Sequence, residues 1–531
     1  MFRPNMNNKD YMIERNGEPL GDGDGDVELH SLSRKGAMSH DEHDMQVLGR
    51  VQQLNRNFRF ISTLGFACTL MSTWEIALMT SFYGLLNGGP AGLVWGYLIT
   101  WIGYMLVFAS VAELSSISPT SGGQYHWVSE FAPPNAQKFV SYTVGWIAVL
   151  GWQVGLASLA FLAGTMIQGL LVLNSPSYSF EQWHGTLLVI AITAFSIIFN
   201  TFLAKRLPLV EGTVLIIHVL GFAGVLIPLW VLAPRNSPSQ VFSEFLNLGG
   251  WSSNGVSFFV GLLAPVYTLI GADSAVHMSE EIKDASIVLP KAIMWAAAVN
   301  GSMGFVMVIT FCFTMGSVYD IIESPTGYPF IQAFFNATQS YAGTSIMTAL
   351  LIVNITSACI STVATVSRQT WAFARDNGLP FSSFIAYVKP GWNIPLNAVV
   401  VTFIITSLLS LINIGSSVAF NAIGSLAISA LLGTYLISFT CLVIRRLKGP
   451  LPYRRWSLGP AGLYINLGAI AFLLVVWVFI FFPVSPDVTQ ETMNWNSVMF
   501  GGTMLFATLY YFARGRKVYT SPVDLIRREE E

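Results

Sequence analysis

Several side chains able to do chemistry stand inside stretches that are otherwise apolar. "LGFACTLMSTWEIALMTSFYGLLNGGP" carries Ser72, Thr73, Trp74 and Glu75 at its middle, and "FFVGLLAPVYTLIGADSAVHM" carries Tyr267, Thr268, Gly271, Asp273 and His277. A carboxylate in such a setting costs several kcal/mol unless it faces a cavity, a partner or a ligand. Glu75 therefore points to compensation by a cationic amine or a proton, and Trp74 offers a ring face to an ammonium. The bland alternative gives both a purely structural role in hydrogen bonding and packing. Tyr267 and Thr268 offer hydroxyls to a small polar ligand or to freed backbone groups. Glu211 and His218 are seven residues apart, about two helical turns along one face, a spacing that suits a proton relay. Asp273 reads as a gating or proton-linked carboxylate, or as a structural acceptor at a helix end. Asn354, with Gln153 and Ser357, reads as a pocket wall or as an interhelical hydrogen bond.

The elements that must hold these groups follow from composition. The chain has 531 residues, 53% hydrophobic and only 11% charged, with a mean hydropathy of +0.57. That excludes a soluble globular domain. The apolar runs are continuous and about 20 residues or longer, so they predict membrane-crossing helices, while the missing period-two alternation excludes a β-barrel. Cys68, Cys312, Cys359 and Cys441 all fall inside apolar runs, where no disulfide framework is expected. Residues 1–58 are polar and read as a disordered cytosolic tail without a cleavable signal peptide. "DGDGDVELHSLS" in that tail imitates a calcium loop, but Val27 and Ser33 stand where the turn glycine and bidentate glutamate are needed. No catalytic residue, metal, cofactor or nucleic-acid partner is expected.

Hydropathy and punctuation place twelve spans near 60–86, 93–117, 138–173, 184–203, 209–233, 255–279, 291–317, 341–366, 395–414, 418–444, 461–483 and 495–513. With the N-terminus inside, Lys205, Arg206, Lys283, Lys291, Arg375, Arg445, Arg446, Arg454 and Arg455 all fall on the cytosolic side, and only Arg235 lies opposite. Both termini are thus expected in the cytosol, with 514–531 as a second tail. The sequon Asn336-Ala337-Thr338 falls in a predicted outer loop and is a glycosylation candidate. Asn300-Gly301-Ser302 and Asn354-Ile355-Thr356 also match but sit in spans and are discounted.

Spans 1 and 6 head two successive groups of five, and both are interrupted. Matching interruptions of this kind point to an inverted-repeat transporter whose broken helices hold ligand near the midplane. The expected division is a transport core over 59–444, with repeats at about 60–233 and 255–444, followed by spans 11 and 12 over 445–513. Within span 6, "LLAP" is expected to end the outer half-helix, "VYTLIGA" to be unwound, and "DSAVHMSEEI" to form the inner half. Glu280, Glu281, Lys283 and Asp284 are expected to face Arg368 to Asp376 as a charge-paired inner gate, or to lie in a solvated loop.

"AELSSISPTSGGQYHWVSEFAP" (112–133), "HMSEEIKDASIVLPKAI" (277–293), "SRQTWAFARDNGLPFS" (367–382) and "RRLKGPLPYRRWSLGPAGLYINLGA" (445–469) resemble, in order, the amino acid/polyamine/organocation transporters. Within these, they are most similar to the fungal amino acid and choline permease branch. The resemblance spans about residues 55–513. It implies an all-α, twelve-helix protein with the five-plus-five inverted repeat of the leucine transporter and two added C-terminal helices. It also implies uptake of an amino acid, GABA, choline or related amine by alternating access, usually driven by protons, across the plasma membrane. By position, the breaks fall at Ser72 to Trp74 and Thr268 to Gly271, and the loop between spans 2 and 3 at Pro119 to Tyr125. Some prokaryotic relatives use a span-5 lysine as the coupling charge; this span 5 has none, which leaves the coupling residue open. Two rivals are an amine sensor of the same fold that signals without transporting, and an intramembrane enzyme. The short N-terminal tail disfavours the first, and the scatter of His184, His218 and His277 across depths disfavours the second.

Overall fold

The structure, a computed structural model, describes residues 39–390, 392, 394–415, 419–489 and 492–524. Among them, eleven helical segments are long and apolar enough to cross a membrane: Phe60–Met79, Gly89–Ile117, Gln137–Asn174, Gln182–Phe202, Ala204–Leu232, Asn254–Glu281, Ala285–Thr314, Tyr341–Arg375, Leu396–Gly415, Ala422–Lys448 and Gly459–Phe479. They are numbered spans 1 to 11 below. The expected twelfth span is helical but shorter, Asn496–Tyr510, continued by the π turn Tyr511–Gly515 and the final Arg516–Val518. The chain is therefore a multi-pass membrane protein, with eleven segments of full crossing length and this shorter helix after them.

Span lengths repeat between the two groups of five. Spans 2 and 7 have 29 and 30 residues, spans 3 and 8 have 38 and 35, and spans 4 and 9 have 21 and 20. Helices of 35 or more residues exceed the hydrocarbon thickness by far, so spans 3 and 8 must tilt or project beyond the membrane. Span 2 packs along span 7, and span 3 along spans 8 and 10. Span 1 is the most enclosed, 83% buried over its most apolar window, whereas spans 5 and 11 are 28% buried and face outward. The helices that carry the breaks thus sit at the centre, where irregular backbone can be satisfied by protein.

Span 1 breaks at one residue. Helix Phe60–Met71 stops at Ser72, which adopts the left-handed conformation (φ 37°), and Thr73–Met79 begins immediately after it. The Ser72 hydroxyl donates to the Thr69 carbonyl at 2.6 Å and its amide to Cys68 at 3.0 Å, so carbonyls freed by the break are partly satisfied locally. Span 6 breaks at Ile270 and Gly271. The outer helix runs to Leu269, Ile270 is extended, Gly271 has φ 110°, and Ala272–Glu281 continues as a 3₁₀ helix. The expected unwinding over 266–272 is therefore too wide: Val266, Tyr267 and Thr268 stay helical. Only Gly271 takes a backbone conformation that a side chain resists.

The N-terminal tail also differs from its reading. Its residues 1–38, including the calcium-like run, lie outside the described residues. Residues 39–58 contain helix His40–Val47, opened by a capping box between Ser39 and Glu42. The segment that follows crosses the face bearing the termini and pairs Phe58 with Ile282 in an isolated bridge. Composition alone could not show this, because the order comes from contacts with spans far away in sequence.

Candidate functional site

Where the two breaks meet, a cavity of about 40 Å³ lies between Leu70 and Ile76 of span 1, Trp152 and Gly155 of span 3, Tyr267, Ile270 and Gly271 of span 6, Thr362 of span 8 and Ile428 of span 10. Among the described residues, no charged side chain lines it. A ligand's charge there would have to be met by backbone: carbonyls ending Phe60–Met71 and Leu263–Leu269, and amides opening Thr73–Met79 and Ala272–Glu281. The Trp152 ring supplies a face for a cation. Tyr267 is fixed across the cavity by a 2.5 Å hydrogen bond with Ser158 of span 3. Thr80 and Thr268 tie spans 1 and 6 together above it, their hydroxyls 3.2 Å apart.

Of the side chains expected to bind substrate, Tyr267 and Gly271 line this cavity. Ser72, Thr73, Trp74, Glu75, Thr268 and Asn354 do not. Glu75 lies behind span 1, turned toward spans 5, 7 and 8. Its Oε1 accepts from Asn354 Nδ2 at 2.8 Å and stands 2.7 Å from His218 Nδ1. His218 Nε2 stands 3.1 Å from Asn300 Oδ1, while Asn300 Nδ2 donates to the Cys68 carbonyl at 2.9 Å. That carbonyl can only accept, so it orients the Asn300 amide, and Asn300 Oδ1 then requires a proton on His218 Nε2. One further proton therefore lies on the contact between His218 Nδ1 and Glu75. Glu75 Oε2 and Asn354 Oδ1 are buried acceptors with no hydrogen-bond partner among the described residues. Trp74 donates to the His218 carbonyl at 3.2 Å, which holds its indole in the same cluster.

The sequence joined Glu211 to His218, but the structure does not. Glu211 accepts from Ser361 of span 8 at 2.7 Å, two turns away. Asn300 entered the sequence reading only as a discounted sequon, since one asparagine in a span carries no signal of its partner. Trp152, Leu70, Ile76 and Thr362 were missed because apolar wall residues look like any other lipid-facing or core position. Gln153 bonds Thr370 and Thr402, both at 3.1 Å, and Ser357 bonds its own helix, so neither lines the cavity.

Below the cavity, toward the termini, charged pairs close the protein. Arg368 meets Glu281 at 2.8 Å, and Arg375 meets both oxygens of Glu280 at 2.9 and 3.1 Å. The expected charge pairing thus forms between spans 6 and 8 and is buried, contrary to the solvated-loop alternative. Two of its expected members lie elsewhere: Lys283 is exposed, and Asp284 pairs with Arg455. Asp273 Oδ2 accepts from Gln124 at 2.8 Å, and its own backbone amide and the Tyr435 hydroxyl also lie against the carboxylate. Gln124 belongs to the loop between spans 2 and 3, from which the Ser121 carbonyl also accepts His277 Nδ1 at 2.9 Å. Asp376 collects Arg50 at 2.7 Å, the Tyr125 hydroxyl at 2.9 Å and, through its carbonyl, the Thr520 amide at 3.0 Å. Both tails therefore seal the same end. Burial raises the Tyr125 hydroxyl well above its ordinary range, with the Asp376 charge adding to it, so it serves as a donor.

Asn336 is half-buried on helix Pro329–Thr338, its Oδ1 accepting from Gln332 at 2.8 Å. The sequon thus lies on a short helix within the segment that joins spans 7 and 8.

The amino acid permease family matches over residues 58–505. A choline transporter of Saccharomyces cerevisiae is 29% identical over 516 residues, covering 97% of this chain and 88% of the relative. A putative amino acid/polyamine transporter of Macrophomina phaseolina is 30% identical over 443 residues, 82% of this chain and 96% of the relative. Amino-acid permease 2 of Neurospora crassa is 28% identical over 491 residues, 90% and 88% respectively. Among solved structures, a manganese transporter of Eremococcus coleocola superposes with a TM-score of 0.52 at 13% identity, covering 88% of this chain and 94% of that one. That likeness shows the fold alone, the leucine-transporter-like arrangement of two five-helix repeats.

Proposed function

The chain belongs to the amino acid permease family, and from that premise we propose that it imports an amine-bearing small molecule, an amino acid, choline or GABA, by proton-coupled alternating access. The observation that carries this reading is the cavity at the two helix breaks, with buried charge pairs on the side toward the termini and, among the described residues, neutral hydroxyl contacts rather than ion pairs on the opposite side. Neutral hydrogen bonds contribute about 0.5–1.5 kcal/mol each, less than bonds to charged groups, so the hydroxyl side opens more easily. Substrate enters from that side, outside the plasma membrane, and leaves on the face carrying both termini, which is cytosolic.

In this mechanism the substrate's ammonium rests on Trp152 and the carbonyl ends of the broken helices, near Tyr267. A carboxylate, where the substrate has one, takes the amides after Gly271. Glu75 and His218 hold the coupling proton on the far side of span 1. Because both sit on or against the helix segment after Ser72, gaining or losing that proton shifts span 1 against span 5. Asn300 fixes the histidine tautomer, and Asn354 links the pair to span 8. Release toward the cytosol requires Arg368 and Glu281, and Arg375 and Glu280, to separate. An inside-negative potential adds about 2.3 kcal/mol per charge per 100 mV to cation entry.

The test is uptake of labelled amino acids, GABA, choline and polyamines into a permease-null host at two external pH values. Saturable uptake of at least one amine, faster at the lower pH, is expected. Saturable binding with no uptake would replace the carrier with a sensor, and uptake indifferent to pH would remove the coupling.

A further inference from the structure

A second cavity, about 620 Å³, opens on the face opposite the termini, between the outer ends of spans 1, 3, 4 and 9 and the loop before span 8. Six aromatic rings stand around it: Phe82, Tyr83, Phe161, Phe180, Trp183 and Tyr328. Glu181 is the one charged residue among those described as lining it. The strand of chain that bears Glu181 is held in place. The buried Gln168 donates to the Glu181 carbonyl at 2.9 Å, and Asn413 donates to the next carbonyl, that of Gln182, at 2.6 Å. Ser179 donates to Glu181 Oε1 at 3.1 Å, and Glu181 is exposed. On the inner wall, Thr165 and Tyr328 share a 2.6 Å hydroxyl contact.

Aromatic faces carry negative potential, and a carboxylate among them, with no lysine or arginine among the described lining residues, attracts cations and repels anions. The cavity also lies in series with the central one. Tyr83 lines both the outer cavity and a narrow gap below it, and Tyr267 lines that gap and the central cavity. The outer space is far larger than the inner one, so it admits bulkier ions than the inner cavity can pass.

We propose that this outer cavity is a separate organic-cation site, which binds quaternary and primary ammonium ions by ring faces and Glu181 before or without their entry to the central cavity. Its occupancy concentrates cationic substrate at the mouth, and a bulky cation lodged there blocks uptake. The inference goes beyond the transport reading, because the site exists whether or not its ligand is carried.

The experiment measures binding of tetraethylammonium to the full-length purified protein in lipid nanodiscs, by calorimetry and by quenching of tryptophan fluorescence. Its near-isosteric neutral alcohol, 3-ethylpentan-3-ol, serves as the comparison. We expect saturable binding of the ion, at least tenfold weaker binding of the alcohol, and at least fivefold weaker binding of the ion by Glu181→Gln and by Trp183→Leu. Glu181 and Trp183 are exposed, and monodispersity and circular dichroism check that both variants fold. No binding by the wild type, equal binding of ion and alcohol, or unchanged binding by Glu181→Gln would each overturn the proposal. A Trp183→Leu variant that is less stable yet binds the ion as the wild type does would assign that ring to the membrane interface and overturn it as well. Because binding is read without transport, its failure stands apart from a failure of uptake.

Discussion

Replacing Glu75 by Gln removes one charge and almost no volume from the buried cluster of Glu75, His218, Asn300 and Asn354. Glu75 accepts at 2.7 Å from the His218 contact and at 2.8 Å from Asn354, and all three side chains are buried. Hydrogen bonds to charged groups contribute about 1.5–3 kcal/mol, and neutral ones about 0.5–1.5. Glu75→Gln should therefore cost about 1–3 kcal/mol, since the amide keeps an acceptor for Asn354 while the histidine becomes neutral. His218→Asn leaves the carboxylate with Asn354 alone and should cost about 3–5 kcal/mol, the penalty of a buried charge deprived of its partner. The double variant has no stranded charge, so its cost should fall short of the sum by at least about 1.5 kcal/mol. Thermal loss of monodisperse protein in lipid-supplemented detergent ranks the four proteins. The same variants report on coupling. For one proton per substrate, each unit of inward pH gradient is worth about 1.36 kcal/mol, a tenfold change in steady-state accumulation. Vesicles bearing the wild type should show that slope, and Glu75→Gln should show none while still equilibrating substrate. Additive stability costs together with a retained tenfold slope in Glu75→Gln would refute the shared-proton reasoning.

Two other outcomes follow from the geometry. Arg375→Gln strands the buried Glu280 carboxylate beneath the cavity, so it should cost about 3–5 kcal/mol and make a cysteine placed at Thr362 reactive to a thiol reagent from the cytosolic side; adding Glu280→Gln should recover most of the stability but not the seal. Gly261→Ala would put a methyl carbon 1.8 Å from the Asn87 carbonyl oxygen, a backbone atom that cannot swing away, so little folded protein should reach the membrane.

Much of this molecule was legible in one dimension. Hydropathy counts residues along the chain, and the bilayer demands a fixed length of apolar helix, so span positions, the positive-inside bias and the family resemblance all followed from order and spacing. Gly271 announced the span-6 break because no other residue takes φ 110° without strain. Ser72 gave no such notice by residue type, and its break was placed at Ser72 to Trp74 by the family resemblance alone.

What the linear text could not state is rotation about a helix axis. Glu75 is at the depth expected for a substrate site, yet a helix turns about 100° per residue, so depth does not say which way a side chain faces. The tertiary structure turned Ile76 and Leu70 to the cavity and Glu75 to His218. It likewise joined Arg50, Tyr125, Asp376 and Thr520, which come from four separate parts of the chain, into one cluster. Sequence fixes which residues must be compensated in lipid; only packing of the helices decides by what.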